Sequence, residues 1–191
     1  MNLPNRLSIL RIILIPLMVA VFYMTFIPFN YLICALIFLI ASITDFLDGY
    51  IARKYNLVTD LGKFLDPIAD KILVLSALII MLTYPVIFGG SLGVLFYQLA
   101  GGIGVVVIVA REMVVSVLRM VAAGKGKVLA AEKIGKLKTL ISDVAIVVLL
   151  ISGTFSIFYY IGIALYLIAV LLTVYSGTVY LIKNWGVFKN D

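Results

Sequence analysis

The sequence predicts an all-α integral membrane protein with six transmembrane helices, both termini in the cytoplasm and a polar cavity on the cytoplasmic side. Three observations lead to this fold class. The 191-residue chain is 64% hydrophobic and 13% charged, whereas soluble domains are about half apolar and a quarter charged. Its apolar residues form six long runs, and the breaks between them alternate between uncharged and charged. The length predicts a single membrane domain over residues 1–191.

Each apolar run is long enough for a membrane helix, which needs roughly 20 apolar residues. The breaks carry turn-forming residues such as Pro28, Pro85 and the Gly124-Lys-Gly126 stretch. The predicted spans cover about residues 7–26, 31–53, 66–85, 93–123, 134–152 and 157–182.

Charge is confined to alternate breaks and to the two ends of the chain. The breaks near residues 27–30, 86–92 and 153–156 hold none. The others hold Arg6 and Arg11; Arg53, Lys54, Asp60 and Lys63; Arg119, Lys125, Lys127, Glu132, Lys133, Lys136 and Lys138; and Lys183, Lys189 and Asp191. Because basic residues accumulate in cytoplasmic loops, the charged breaks and both ends of the chain are predicted to lie on the cytosolic side of the cell membrane. The net charge of +6 then points to lipid headgroups rather than nucleic acid.

Four of the nine acidic residues lie within 26 positions, at Asp45, Asp48, Asp66 and Asp70. Asp45 and Asp48 share one helical face at a spacing of three, and Asp66 and Asp70 share another at a spacing of four. Acidic side chains at membrane depth are costly and mark functional sites. Two divalent ions would neutralise the four carboxylates, and such hard oxygen ligands suit Mg²⁺, Mn²⁺ or Ca²⁺ rather than zinc.

The residues between these aspartates suit a phosphate-bearing ligand. Gly49, Ala52 and Gly62 put no bulk on the surface, and Arg53 adds a cation that a phosphate group could meet. Each residue also has a plain structural alternative. Asp66 before Pro67 could cap a helix, the small residues could serve helix packing alone, and Asp48 could pair with Arg53. The chain has no histidine, so a general base at neutral pH would be a carboxylate, lysine, tyrosine or bound hydroxide.

The stretch from Asp45 to Asp70 resembles the signature of the CDP-alcohol phosphatidyltransferase family, D-x2-D-G-x2-A-R-x8-G-x3-D-x3-D, at every specified position. Less specific flanking stretches resemble the branch that makes phosphatidylglycerol phosphate. These are Asn2 to Ser8 with Arg11, Ala110 to Met113, Leu118-Arg119, and Ala130 to Thr139.

The resemblance implies transfer of a phosphatidyl group from CDP-diacylglycerol to sn-glycerol 3-phosphate, with release of CMP. It implies that Asp45, Asp48 and Asp66 ligate Mg²⁺ or Mn²⁺ ions, two being expected, and that Asp70 is a metal ligand or the general base. The residues implied for CDP-diacylglycerol binding are Asn5, Gly49, Ala52, Arg53 and Gly62. Family members are commonly homodimers, and we expect one here.

The acceptor's phosphate needs cations of its own. We expect Arg111, Arg119 and Lys136 to bind it, with Lys138 in reserve. For Arg111 the alternative is an internal pair with Glu112 or Asp143. For Lys125, Lys127, Lys133 and Lys138 the alternative is contact with lipid headgroups, which is the interpretation we favour.

Other functions also fit parts of the pattern. The nearest is a family enzyme with serine, inositol or phosphatidylglycerol as acceptor. A divalent-cation or proton-coupled transporter would explain intramembrane carboxylates, but the outer half of the predicted bundle holds almost no polar relay. A non-catalytic membrane scaffold would have no use for the four aspartates.

Overall fold

The computed structural model describes residues 2–55, 59–88, 92–127, 129 and 133–187. Over these ranges the chain is helical and contains no strand, which confirms the all-α class. The elements in order are α1 (Leu3–Tyr23), α2 (Asn30–Lys54), α3 (Asp60–Leu82), α4 (Pro85–Phe88), α5 (Gly93–Phe96), a π-helical turn (Tyr97–Ile103), α6 (Gly104–Gly124), α7 (Lys133–Ser152), a 3₁₀ turn (Ser156–Phe158), α8 (Tyr159–Asn184) and a second 3₁₀ turn (Trp185–Val187).

The described part of the chain has four helices that are long and apolar enough to cross a membrane. They are Pro4–Tyr23, Asn30–Ile51, Gly93–Gly124 and Ser156–Val187. The helices α3 and α7, with 23 and 20 residues, are long enough but carry more charge and are not among the four. The outer surface is strongly apolar, since side chains such as Phe26, Ile157 and Leu171 are 81%, 79% and 69% exposed. The helical class and four candidate membrane-spanning helices are confirmed, and six spans stay a prediction.

The bundle is organised around α1, α2 and α7. The helix α1 packs against α2 and α3, α7 packs against α2 and α8, and α6 packs against α8. One apolar cluster fills the space between them, with Met18, Phe38, Leu78 and Leu149 at its centre. This packing brings the N-terminal half of α1 beside the end of α2 and the beginning of α3, where the predicted site lies.

The N-terminus of α3 differs from the prediction. The helix begins at Asp60 rather than near residue 66, because Thr59 caps it and its hydroxyl accepts a hydrogen bond from the Gly62 amide at 3.0 Å. Asp66 and Pro67 therefore lie inside α3. The alternative in which Asp66 caps a helix starting at Pro67 is wrong, and the Asp66 side chain is available for another role.

The long helix from Gly93 to Gly124 contains a π-helical turn between α5 and α6. The hydroxyl of Tyr166 on α8 lies 3.1 Å from the Ala100 carbonyl oxygen and 3.3 Å from the Gly101 carbonyl oxygen. Both oxygens also accept from the Gly104 amide. The Tyr166 ring is buried against Gly104, where a Cβ atom would overlap the tyrosine hydroxyl. Gly104 thus permits the contact that fixes α6 against α8.

We expect Gly104→Ala to destabilise the protein by about 1–3 kcal/mol, because the added methyl group overpacks a rigid, hydrogen-bonded ring. The matched control is Gly102→Ala, since a Cβ at Gly102 would meet nothing within 4 Å. Thermal unfolding in detergent measures both. A Gly104→Ala protein as stable as the Gly102→Ala protein would contradict this account of the α6–α8 contact.

Candidate active site

Arg11 of α1 lies between the two aspartates of α2. Its Nη1 donates to Asp45 Oδ1 at 2.5 Å and its Nη2 to Asp48 Oδ2 at 2.6 Å. The side chains of Arg11 and Asp48 are 0% and 2% exposed, whereas that of Asp45 is 38% exposed. One guanidinium therefore joins a buried and a half-exposed carboxylate.

Ser8 connects Arg11 and its two aspartates to α3. It lies one turn before Arg11 on the same face of α1, is fully buried, and its hydroxyl is 2.5 Å from Asp66 Oδ1 and 3.5 Å from Asp48 Oδ2. Three predicted metal ligands, from two helices, thus meet around two polar residues of a third helix. We call Ser8, Arg11, Asp45, Asp48 and Asp66 the aspartate cluster.

A second contact joins α1 to the beginning of α3. The buried Asn5 side chain accepts a hydrogen bond from the Thr59 hydroxyl at 2.9 Å. A Cβ atom on Gly62 would come within 3.0 Å of the Asn5 Oδ1 atom, so glycine permits the close approach. The structure therefore brings together Asn5 and Gly62, both predicted to bind CDP-diacylglycerol. The side chains of Ala52 and Arg53 lie outside the described residues.

A cavity of about 400 Å³ opens between α3, α6, α7 and α8. Its lining includes four residues of the predicted site: Asp70, Arg111, Arg119 and Lys136. Lys71 and Glu112 also line it, so four basic side chains face two acidic ones. Such a cavity favours an anion of small-molecule size.

Asp70 connects this cavity with the aspartate cluster. Its carboxylate lines the cavity wall, and it interacts electrostatically with Asp45 and Arg11 as well as with Glu112 and Lys138. Asp70 is therefore the signature aspartate placed between the two groups.

Arg111 is held in the cavity wall by contacts within its own helix α6 and with α8. Its Nη1 donates to Glu112 Oε1 at 3.1 Å, and its Nη2 lies 3.3 Å from the Ser176 hydroxyl of α8. Its side-chain stem crosses Gly177, where a Cβ atom would come within 2.8 Å of Arg111 Cγ. The ion pair between Arg111 and Glu112, which the sequence offered as an alternative role for this arginine, is present. Arg111 nevertheless also lines the cavity.

Lys138 lies deeper than the other predicted acceptor cations. It is 3% exposed and donates to Glu112 Oε1, and it lines a small neighbouring cavity rather than the large one. Contact with headgroups, the interpretation favoured from the sequence, does not describe a side chain so buried.

Asp143 accepts from the Ser42 hydroxyl at 3.2 Å, and in the described part of the chain it pairs with no arginine.

Comparison with known proteins fits this geometry. The sequence model of the family described as CDP-alcohol phosphatidyltransferase matches residues 1–175. The chain belongs to this family. A Bacillus subtilis (strain 168) protein named CDP-diacylglycerol–glycerol-3-phosphate 3-phosphatidyltransferase is 42% identical, over 100% of this chain and 98% of its own. Proteins of the same name from Salmonella typhimurium and Shigella flexneri are each 38% identical, over 94% of this chain and 93% of theirs.

The aspartate cluster has the donor chemistry that the family's signature implies for a divalent metal. Asp45, Asp48 and Asp66 supply carboxylate oxygens, and all three converge on two shared partners, Arg11 and Ser8. Hard oxygen donors of this kind suit Mg²⁺ or Mn²⁺. The described residues hold no group of three acidic or cysteine side chains already drawn together as a metal site, because Arg11 and Ser8 lie between the carboxylates. The residues fit the ion by the chemistry of their carboxylate oxygens.

Sequence reasoning missed several residues of this family site. Ser8 and Arg11 belong to a flanking stretch of the family resemblance, which does not predict that they contact the aspartates. Their signal was a serine and a charged residue three apart on one face of an apolar helix. Ser176 and Tyr180 were missed on α8, although polar residues four apart in a membrane helix give the same signal.

We expect Arg11→Met to lower the free energy of unfolding by about 3 kcal/mol, because a buried carboxylate loses its charged partner. The matched control is Arg6→Met, since Arg6 is an exposed arginine of the same helix. Thermal or denaturant unfolding in detergent measures the difference. Equal stability of the two variants would show that Arg11 does not neutralise the cluster.

Proposed function

We propose that this protein transfers the phosphatidyl group of CDP-diacylglycerol to sn-glycerol 3-phosphate, giving phosphatidylglycerol phosphate and CMP. The observation that carries the proposal is the position of Asp70 between the aspartate cluster and a basic cavity. A donor activated at the cluster and a phosphorylated acceptor bound in the cavity would meet at this carboxylate. The names of relatives at 38–42% identity support the same substrates.

The donor's headgroup is assigned to the aspartate side of the site. Asp45, Asp48, Asp66 and Asp70 would hold the divalent ions, two Mg²⁺ or Mn²⁺. When bound, such ions supply positive charge that polarises a diphosphate and makes CMP a better leaving group. The residues assigned to the CDP-diacylglycerol pocket are Asn5, Gly49, Ala52, Arg53 and Gly62, of which Asn5 and Gly62 are in contact range.

Asp70 is the proposed general base. The acceptor's hydroxyl oxygen forms a bond to the phosphorus that carries the diacylglycerol, and the bond from that phosphorus to the bridging oxygen breaks, so CMP leaves. The hydroxyl proton passes to the Asp70 carboxylate. A base must lie within hydrogen-bond reach of the proton that it takes, and Asp70 lines the cavity in which the acceptor is placed.

The acceptor's phosphate is assigned to Arg111, Arg119 and Lys136. All three line the large cavity, and arginine binds phosphate through paired donors. Lys138 is assigned an indirect part, because it is buried against Glu112. Glu112 thus carries an ion pair with Arg111 and another with Lys138, and these pairs set how much positive charge the cavity keeps.

We also propose six membrane spans, with both termini and the site on the cytosolic side. The support is the charge pattern of the breaks and the length of α3 and α7, which match two predicted spans. This orientation leaves the donor's acyl chains in the bilayer while its headgroup reaches water-soluble acceptor. We retain the homodimer as a prediction.

We expect purified protein with Mg²⁺ or Mn²⁺ to release CMP from CDP-diacylglycerol with glycerol 3-phosphate, and not with serine, inositol or phosphatidylglycerol. Chromatography of the lipid product should show phosphatidylglycerol phosphate. Release with another acceptor in place of glycerol 3-phosphate would keep the family and overturn the substrate. No release with any acceptor, from protein shown to be folded, would overturn the transferase proposal.

We expect Asp70→Asn to lower the rate of CMP release on the order of 10²- to 10⁴-fold, the usual contribution of a general base. Asp143→Asn is the matched control, because Asp143 has its own hydrogen bond to Ser42 and no assigned role. It should retain most of the activity. Comparable losses in the two variants would contradict the special role of Asp70.

We expect chelation with EDTA to abolish CMP release and added Mg²⁺ or Mn²⁺ to restore it. In Asp48→Asn, a higher metal concentration should be needed for half-maximal activity, since a charged oxygen ligand is lost. The measurement is a metal titration of wild type and variant at saturating substrates. Full activity after complete removal of divalent ions would refute the metal assignment.

A further inference from the structure

One face of α8 carries the side chains that hold the two cavity arginines. Ser176 and Tyr180 are four residues apart, so they lie on the same face of the helix. Each is 2% exposed and each lines the large cavity. Both lie beyond residue 175, where the match to the family's sequence model ends.

Ser176 fixes Arg111 to the backbone of α8. Its hydroxyl lies 3.3 Å from Arg111 Nη2 and 3.4 Å from the Thr173 carbonyl oxygen, so it can accept from the first and donate to the second. The neighbouring Gly177 leaves room for the arginine stem, as described above. Arg111 therefore reaches the cavity along a path that α8 defines.

Tyr180 holds Arg119 through two contacts. Its hydroxyl accepts a hydrogen bond from Arg119 Nε at 3.1 Å, and the guanidinium carbon lies 5.3 Å from the centre of its ring. The second distance is within the range of a cation–π interaction. Because Nε is used in this bond, the two terminal nitrogens of Arg119 remain as a pair of donors. The tyrosine's own hydroxyl proton has no acceptor among the described residues.

We propose that Ser176 and Tyr180 are positioning residues that set the affinity for the acceptor's phosphate. They orient Arg111 and Arg119 from α8, and Tyr180 adds its hydroxyl proton as a further donor to the anion. This inference rests on the proposed function. It extends the acceptor site to a helix that lies outside the aspartate signature, and it makes α8 a determinant of preference for a phosphorylated acceptor.

A purely structural role is the competing explanation. Tyr180 also packs in a small apolar cluster with Val115, Leu118, Ala122 and Val187, so its loss could loosen the bundle. The two explanations differ in what they change. A positioning role alters acceptor affinity alone, whereas loosened packing alters stability and the response to both substrates.

The test compares Tyr180→Phe, Ser176→Ala and the double variant with wild type in the full-length protein. Tyr180→Phe keeps the ring and its packing and removes only the hydroxyl. Tyr175→Phe is the matched control, because Tyr175 is on the same helix, is 58% exposed and does not line the cavity. The measurements are KM for glycerol 3-phosphate, KM for CDP-diacylglycerol, kcat, the inhibition constant of inorganic phosphate against glycerol 3-phosphate, and thermal stability.

We expect Tyr180→Phe to raise KM for glycerol 3-phosphate roughly tenfold, the size of a lost hydrogen bond to a charged group. The inhibition constant of phosphate should rise in parallel, while KM for CDP-diacylglycerol and the control stay near wild type. Ser176→Ala should shift the same two constants, and the double variant should shift them further.

The inference would be overturned if wild type is active but neither single variant nor the double variant changes KM for glycerol 3-phosphate or the inhibition constant of phosphate. Equal increases in the KM of both substrates, with lowered stability, would overturn it in favour of packing. If Tyr180→Phe does not fold, the Ser176→Ala result decides by the same criteria. Failure of the proposed function is distinguishable, because wild type itself would then release no CMP with glycerol 3-phosphate.

Discussion

A guanidinium buried among carboxylates is the interaction on which the candidate site depends. Arg11 is fully buried, and Asp48, one of its two partners, is nearly so. Removing such charges from water costs several kcal/mol per ion, and an apolar replacement of the whole pair is often at least as stable. The stability of the fold alone therefore does not explain why Arg11 and Asp48 are charged residues. Arg11 forms ion pairs with both carboxylates of α2 inside an apolar bundle, and these ion pairs hold α1 against α2.

The same constraint shapes the other side of the site. Arg111, Glu112 and Lys138 form a chain of ion pairs in which one carboxylate serves two cations. The result is an excess of positive charge at the cavity wall, whereas the aspartate cluster has an excess of negative charge. Asp70 lies between these opposite regions. An acidic side and a basic side of the candidate site are thus distinct, and Asp70 interacts with both.

The sequence predicted the helices well because apolar runs and turn residues are local signals. The turn at Gly126, with a φ of 71°, lies in the predicted break, and α2 and α7 match their spans within about three residues. The start of α3 was wrong because the Thr59 cap outweighs the Asp-Pro pair that resembles a helix start. The spacing of the aspartates predicted which of them share a face, since spacing on one helix is local too.

Partners on different helices could not be predicted in this way. Ser8 meets Asp66 across 58 positions, Arg11 meets Asp48 across 37, and Arg119 meets Tyr180 across 61. No periodicity relates such residues, because their meeting depends on how whole helices pack. Small residues permit other contacts between helices, since Gly62 leaves room for Asn5 and Gly177 leaves room for Arg111. From sequence, a glycine in a membrane helix indicates a close approach but not the identity of its neighbour.

The placement of the two regions has a consequence for specificity within the family. The signature residues lie on α2 and α3, where the proposed function places the CDP-linked donor. Most of the cavity's lining residues lie on α6, α7 and α8, whereas Asp45, Asp48 and Asp66 do not line it. An acceptor without a phosphate would leave the charges of Arg111 and Arg119 without an anion, and a site built for charge rejects neutral ligands for that reason. On the proposed function, acceptor preference depends on the packing of α6 against α8, and donor chemistry depends on α1, α2 and α3.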